Sequence, residues 1–324
     1  MTRTQALGDL TLESGEVLPL VHLAYDTWGE FTGDNAVLVL HALTGDSVIA
    51  GDAAAGGGGW WSKVVGPGLG IDTDRFYVVA ANILGGCAGS TGPDDVDHFP
   101  AITVRDQVAA EKLLADHLGI DRWYGVVGGS AGGMRALEWA VMYPDAVERL
   151  FVLACGAEAS AEQIAWCTIQ TDAIKIAGPV EGLDLARRIA HVTYRSESEL
   201  TQRFGREVQD DGRWAVESYL QHHGEKLVKR FSAASYVTLT EAMNSHDVGR
   251  GRGGIEAALA RITARTTIAA IDSDRLYPPY QQERLAAGIA GCAGLDIVTS
   301  PYGHDGFLIE HEQVSALARD LLSR

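Results

Sequence analysis

Short apolar runs and amphipathic stretches alternate along the chain, a pattern typical of a parallel sheet wound with helices. Each run is four or five residues long and lies near Gly, Asn or Asp, so we predict that it is a buried parallel strand. The predicted strands occupy residues 37–40, 76–80, 123–127, 150–154 and 267–271.

The stretches between these runs have helical periodicity. Apolar residues in the stretch before residue 119 fall on one helical face, and Gly119 can end that helix. A second helix is predicted after Ser130, ending at Tyr143 because proline at Pro144 disfavours helix for the residue before it. The pattern therefore predicts an α/β fold with a doubly wound, mostly parallel sheet.

The pattern changes between residues 160 and 259. Here the segments are long, charged and of helical period, with no convincing buried strand, and strand character returns near Thr266. We predict an α/β core from residues 1–159 and 260–324, with residues 160–259 as a helical lid insertion. Such a lid would cover the carboxyl ends of the strands, where open α/β sheets bind ligands.

Composition and charge exclude several classes of partner. The 324 residues carry a formal net charge of −17, which would repel nucleic acid and anionic membranes. The first ten residues lack an apolar signal-peptide core, so we expect a cytoplasmic protein. The cysteines lie far apart without a C-x-x-C pair, which argues against a zinc site and a disulfide framework. We expect no metal.

The stretch from Gly128 to Gly132 carries the first candidate chemistry. A strand leads into Gly-Gly-Ser-Ala-Gly and a helix leads out, the arrangement of a nucleophile elbow. Glycine is needed on both sides because the turn crowds any Cβ beside the nucleophile, here Ser130. The alternative is a tight glycine-rich turn between a strand and a helix, with no chemistry.

The order of polar residues supports a catalytic triad. In this fold the nucleophile comes first, then the acid, then the histidine. The chain offers Ser130, then Asp272 or Asp274, then His304 in a loop after an apolar stretch. Either aspartate follows the strand 267–271 closely enough, and one of them could simply cap the following turn.

An oxyanion hole requires two backbone N–H donors. One belongs to the residue after the nucleophile, here Ala131, and the other to a loop after an early strand. The stretch from His41 to Gly45 follows the strand 37–40 directly, and we assign the second donor to Leu43.

The chain resembles the homoserine O-acyltransferases of methionine biosynthesis, a family within the α/β-hydrolase superfamily. The resemblance extends almost from end to end and rests on ordered motifs rather than on the elbow alone. These motifs include His41-Ala42-Leu43-Thr44-Gly45-Asp46-Ser47, Gly128 through Tyr143-Pro144, Thr193-Tyr194-Arg195, Arg230-Phe231, Ser273-Asp274 and Gly303-His304-Asp305.

The resemblance implies roles for individual residues. Ser130 is the nucleophile, Asp274 the acid and His304 the base, and Arg187 and Asp305 bind the amino-acid head of homoserine. These charges suit a zwitterion, which needs a cation for its carboxylate and an anion for its ammonium group.

The implied activity is that of a homoserine O-acetyltransferase. Acetyl-CoA, as a co-substrate, acetylates the serine, and homoserine then takes the acetyl group in a ping-pong reaction. The lid keeps water from the acyl-enzyme. The resemblance also implies no permanently bound cofactor and a homodimer formed through the lid.

Other functions remain open at this point. The same fold and triad could use succinyl-CoA or L-serine, or could act as a plain esterase or thioesterase. A binding protein without activity would have to explain an intact Ser, Asp and His set in the right order.

The sequence departs from the family pattern at two places. The family commonly has methionine at the position of Ala131, so we expect a wider or reshaped acyl pocket. Many members also have a longer connection where this chain passes quickly from Pro179 to Gly182, which shortens the lid.

Overall fold

A single large sheet forms the centre of the molecule. The computed structural model describes residues 2–51 and 58–323, and in this part of the chain eight strands pair in the order β1-β2-β6-β3-β7-β8-β9-β10. The separate strands β4 and β5 form a two-stranded sheet. The strands are β1 Arg3–Thr11, β2 Val17–Trp28, β3 Ala36–Leu40, β4 Val65–Gly66, β5 Ile71–Asp72, β6 Tyr77–Ala81, β7 Gly125–Gly129, β8 Arg149–Leu153, β9 Arg265–Ile271 and β10 Cys292–Val298.

Most of the large sheet is parallel. Strands β6, β3, β7, β8, β9 and β10 pair in parallel, whereas β1 with β2 and β2 with β6 pair antiparallel. Every residue of β3, β7 and β8 is buried, as expected for strands covered by helices on both faces. The predicted α/β-hydrolase fold, doubly wound with a helical lid insertion, is confirmed.

Helices of the core cover the sheet. The first begins with a capping box in which Thr103 and Asp106 satisfy each other's backbone N–H groups. The helix predicted before Gly119 and the one predicted after Ser130 are both present. The core helices are α1 Val104–His117, α2 Ala131–Met142, α9 Pro279–Gly288, α10 Gly306–Ile309 and α11 His311–Ser323.

The segment between β8 and β9 is helical. Its helices are α3 Ala161–Ala177, α4 Glu181–Tyr194, α5 Glu197–Phe204, α6 Ala215–Val228, α7 Ala233–Asn244 and α8 Ile255–Leu259. An apolar cluster joins this lid to the core, with Leu43, Ile83 and Ala131 below and Leu183 and Tyr236 among the residues above. The division of core and lid at residues 160 and 259 stays a prediction.

The sequence pattern did not reveal β1 and β2. Strand β1 has one buried residue, and β2 mixes exposed residues with a buried stretch, 23–26, that includes the charged Asp26, so neither shows the fully buried apolar run of the central strands. The predicted strand ends also differ by one or two residues. Trp123 lies before β7 and makes only an isolated bridge to Val147, and Ala154 leaves β8 with a φ of +46°.

A helix that crosses a membrane needs about 20 mostly apolar residues. Among the helices in the described part of the chain, none is both long enough and apolar enough to cross a bilayer.

Candidate active site

The turn between β7 and α2 places Ser130 in a strained conformation. Its φ of 56° and ψ of −126° lie in a region that residues with a side chain rarely adopt. A Cβ on Gly128 would lie 2.1 Å from the carbonyl oxygen of Gly132, and a Cβ on Gly132 would lie 2.1 Å from that of Leu40. Both glycines are therefore required for the backbone to turn this tightly.

A hydrogen-bonded chain links three of the predicted site residues. His304 Nε2 lies 2.8 Å from Ser130 Oγ, and His304 Nδ1 lies 2.7 Å from Asp274 Oδ2. All three side chains are buried. With the ring proton on Nδ1, His304 donates to Asp274 and accepts the hydroxyl proton of Ser130, which is the arrangement of a general base.

The two candidate aspartates occupy different positions. Asp274 Oδ1 accepts the backbone N–H groups of Leu276 and Tyr277 at 2.8 and 2.9 Å, which fixes the carboxylate while Oδ2 faces the imidazole. Asp272 is exposed and accepts the N–H of Ser300 at 2.9 Å. The structure brings Asp274, and not Asp272, to His304.

Two opposing effects act on the pKa of His304. Burial alone would lower the pKa of His304, but the charge and hydrogen bond of Asp274 favour the protonated ring. The net result is a pKa above its ordinary value. The ring of Tyr277 stacks on it with a centroid separation of 5.0 Å, which fixes its plane.

The loop after β3 carries Leu43 beside the elbow. Ile83 N–H donates to His41 Nε2 at 3.1 Å, and His41 Nδ1 donates to the carbonyl of Ala42 at 2.8 Å. Burial lowers the pKa of His41 to about 3, so the ring is neutral and can make both bonds. Leu43 and Ala131 pack in one apolar cluster. Within the described residues, neither of their backbone N–H groups donates to a protein acceptor.

Arg187 and Asp305 line one cavity of about 260 Å³. Arg187 reaches from α4 and lies 3.4 Å from the hydroxyl of Thr44. Asp305 follows His304 directly, and burial raises the pKa of its carboxyl group while Arg195 opposes that shift. The remaining lining consists of His191, Arg195, His223, Lys226, Leu227, Arg230, Leu308 and Ile309.

Tyr194 and Arg195, at the end of α4, also belong to the candidate site, although the sequence assigned neither residue an individual role. Arg195 Nε lies 3.1 Å from Asp305 Oδ2 and holds that carboxylate in place. The ring of Tyr194 lies between the guanidinium of Arg187, at 5.6 Å, and the ring of His304, at 5.8 Å. The spacings 187, 191, 195 and 187, 194 place Arg195 and Tyr194 near the helical face of Arg187, and that periodicity was the available signal.

The end of α4 packs directly on the loop that carries His304. Gly303 has a φ of +66°, and a Cβ there would lie 2.6 Å from the carbonyl oxygen of Tyr194. Ser196 donates to the carbonyl of Pro301 across the same contact. The lid and the histidine loop are therefore held together by backbone contacts that leave no room for a side chain.

Comparisons with known proteins identify the fold and the family of the chain. A family model described as alpha/beta hydrolase fold matches residues 35–310. A homoserine O-acetyltransferase of Thermobifida fusca is 52% identical over 97% of this chain and 92% of that relative. The crystal structure of homoserine O-acetyltransferase from Staphylococcus aureus superposes with a TM-score of 0.89 at 30% identity, covering 100% of this chain and 95% of that one.

Esterase E22 has the same architecture. Its crystal structure gives a TM-score of 0.89 over 99% of both chains, but at 23% identity this likeness shows the fold alone. The assignment of the chain to a family rests on the relative that is 52% identical. The chain belongs to the homoserine O-acetyltransferase family within the alpha/beta hydrolase fold.

Proposed function

We propose that this protein transfers an acetyl group from acetyl-CoA to the side-chain hydroxyl of L-homoserine, as a step of methionine biosynthesis. The observation that carries the proposal is the hydrogen-bonded chain of Ser130, His304 and Asp274 beside a cavity that holds Arg187 and Asp305. The chain of hydrogen bonds suits acyl transfer, and the charged pair suits an amino-acid acceptor.

The first half-reaction acetylates the serine. His304 Nε2 takes the hydroxyl proton while Ser130 Oγ attacks the thioester carbonyl, and the oxyanion is stabilised by the N–H groups of Leu43 and Ala131. The C–S bond then breaks, and His304 returns the proton to the sulfur of CoA. Asp274 stabilises the imidazolium during both proton transfers.

The second half-reaction releases the product. The homoserine hydroxyl loses its proton to His304 and attacks the acetyl carbonyl, and the bond to Ser130 Oγ breaks as the serine recovers that proton. Arg187 would bind the carboxylate of homoserine and Asp305 its ammonium group. Arg195 keeps Asp305 oriented for this contact.

The apolar cluster above the nucleophile suits a transferase. Ser130 is only 7% exposed, and Leu43, Ile83 and Ala131 pack against lid residues rather than against solvent. Because water is excluded, the acetylated Ser130 would react with homoserine rather than be hydrolysed.

The test is CoA release from acetyl-CoA or succinyl-CoA, each with homoserine, serine or no acceptor. We expect fast release only with acetyl-CoA and homoserine, and its loss in Ser130→Ala. Arg187→Gln should raise KM for homoserine, whereas Arg188→Gln, whose guanidinium pairs with Asp184 instead, should not. Release without acceptor would show a thioesterase, and a preference for succinyl-CoA or serine would reassign the substrates.

A further inference from the structure

Cations without carboxylate partners gather around the cavity beside His304. The chain has a net charge of −17, yet among the described residues no Asp or Glu oxygen lies within 4.0 Å of a charged nitrogen of Arg187, Lys226 or Arg230. Other lid arginines are paired, as Arg188 is with Asp184 and Arg203 with Glu199. Arg187, Lys226 and Arg230, which lack a carboxylate partner in the described part of the chain, therefore all line this one cavity.

These cations act on the groups that they surround. Burial and then the charge of Arg187 lower the pKa of His223 to about 4, and the same two causes depress the pKa of Arg230. The charge of Asp46 opposes the shift of Arg230 without cancelling it, and like charges held close together are unfavourable. An anion bound among them would remove that repulsion.

Buried donors in the same cavity also lack acceptors. Arg187 Nε and His191 Nε2 are inaccessible to solvent and have no hydrogen-bond partner. His191 is 3% exposed, and its Nδ1 lies 3.2 Å from the hydroxyl of Tyr219. When Tyr219 donates to Nδ1, the ring proton is on Nε2, which becomes a further donor to a ligand.

The three cations differ in how deeply they lie in the cavity. Arg187 is partly buried and lies beside Asp305. Lys226 and Arg230 reach solvent at the end of α6 and just beyond it, and the guanidinium of Arg230 is partly covered where it donates to the carbonyl of Thr44 at 2.8 Å. A cavity of about 260 Å³ can hold an amino acid but not the whole of an acyl-CoA, whose nucleotide must remain outside. One cation balances the single carboxylate of homoserine, which leaves the outer cations for a second anionic ligand.

We propose that Lys226 and Arg230, with His223 beside them, bind the phosphate groups of the acyl donor at the mouth of the cavity. This inference rests on the proposed function, in which the donor is the substrate that carries phosphates. The thioester arm would pass from these cations inward to Ser130.

The test compares acetyl-CoA with acetylpantetheine, which has the same thioester arm and no phosphate. Lys226→Gln should raise KM for acetyl-CoA by roughly fivefold to tenfold, because a charge-assisted contact is lost, and leave KM for acetylpantetheine unchanged. Lys229→Gln is the matched control, since it removes the same charge from the same end of α6 but lines a different cavity with Val180 and Glu181.

Binding without turnover separates this inference from the proposed function. CoA is titrated calorimetrically into Ser130→Ala and into Ser130→Ala combined with Lys226→Gln. Weaker CoA affinity and a smaller salt dependence in the double variant support the site even if no acetyl reaches homoserine. Equal CoA affinity in both proteins, or equal KM effects on the two donors, would overturn the inference while leaving the transferase activity intact.

Discussion

At the scale of single residues, the proposed mechanism depends on the protonation state of His304. Only the neutral ring can accept the proton of Ser130 at Nε2. Because Asp274 outweighs the effect of burial, the pKa of His304 lies above the ordinary value of 6.5. The protonated, inactive ring therefore persists to a higher pH than for a histidine in water.

The first prediction is that kcat/KM falls on the acid side of neutrality, with the midpoint of the acid limb above pH 6.5. Asp274→Asn should move this limb to lower pH, because the carboxylate that stabilises the imidazolium is gone. It should also lower kcat by roughly 10⁴-fold, the loss seen when the aspartate of a serine-protease triad is replaced by asparagine. The measurement is the pH profile of kcat/KM for both proteins.

Asp272→Asn is the matched control for this experiment. It removes a carboxylate two residues away that is exposed and bonded to the backbone of Ser300. Its pH profile should follow that of the unaltered protein. An acid limb that shifts in Asp272→Asn and not in Asp274→Asn would contradict the assignment of the hydrogen-bonded aspartate.

Residue types and chain order predicted a candidate triad of Ser130, an aspartate and His304, but they could not choose between the aspartates. Asp272 and Asp274 both follow β9, and only the direction of the turn decides which one meets His304. The pairing of Arg195 with Asp305 was also out of reach, because it depends on how α4 packs against a loop more than 100 residues later.

At the scale of elements, a buried ion pair ties the two core helices to the loop that carries Leu43. Arg135 of α2 pairs with Glu111 of α1 and also donates to the carbonyl of His41 at 2.5 Å. Trp139 donates to the second oxygen of Glu111 at 2.7 Å. Arg135 and Glu111 are almost completely buried, so each charge depends on the other.

The second prediction concerns this pair. Glu111→Leu should lower the free energy of unfolding by roughly 3–5 kcal/mol, because Arg135 would remain as an uncompensated buried charge. Combining it with Arg135→Met should restore much of that loss, since no isolated charge is left. Urea unfolding followed by circular dichroism gives both values. A double variant no more stable than Glu111→Leu would show that the loss comes from packing instead.

The sequence patterns predicted some secondary-structure elements better than others. Continuous apolar runs identified the buried parallel strands, because those strands are covered on both faces. The antiparallel strand β1 is largely exposed and has bulges near Gly8, and β2 has exposed residues before its buried stretch 23–26, so neither gave a comparable signal. The lid helices were predicted as a group, but their mutual packing depends on contacts that no single segment encodes.

At the scale of the whole molecule, the lid exposes apolar side chains. Ile169 and Ile176 of α3 are seven residues apart, as are Leu185 and Val192 of α4, so each pair lies on one helical face. Ile176 is 85% exposed. Exposed apolar surface of this kind is typical of protein interfaces.

The third prediction is that the protein is a dimer in solution and that Ile176→Glu lowers its mass toward that of one chain. Burying a carboxylate in an apolar contact is unfavourable, which would weaken the interface. The measurement is size-exclusion chromatography with light scattering. Ile297→Glu is the control, because Ile297 is 50% exposed on β10, at the far edge of the sheet. Dissociation by Ile297→Glu alone would place the interface at that edge.

The tight contact at Gly303 has a consequence for how substrates are exchanged. Because the end of α4 rests on the backbone beside His304, raising the lid would pull the imidazole away from Ser130. The position of the end of α4 and the position of His304 are thus coupled through this contact. In the proposed transfer reaction, the acyl donor and homoserine would therefore have to enter and leave without the lid lifting away from this loop.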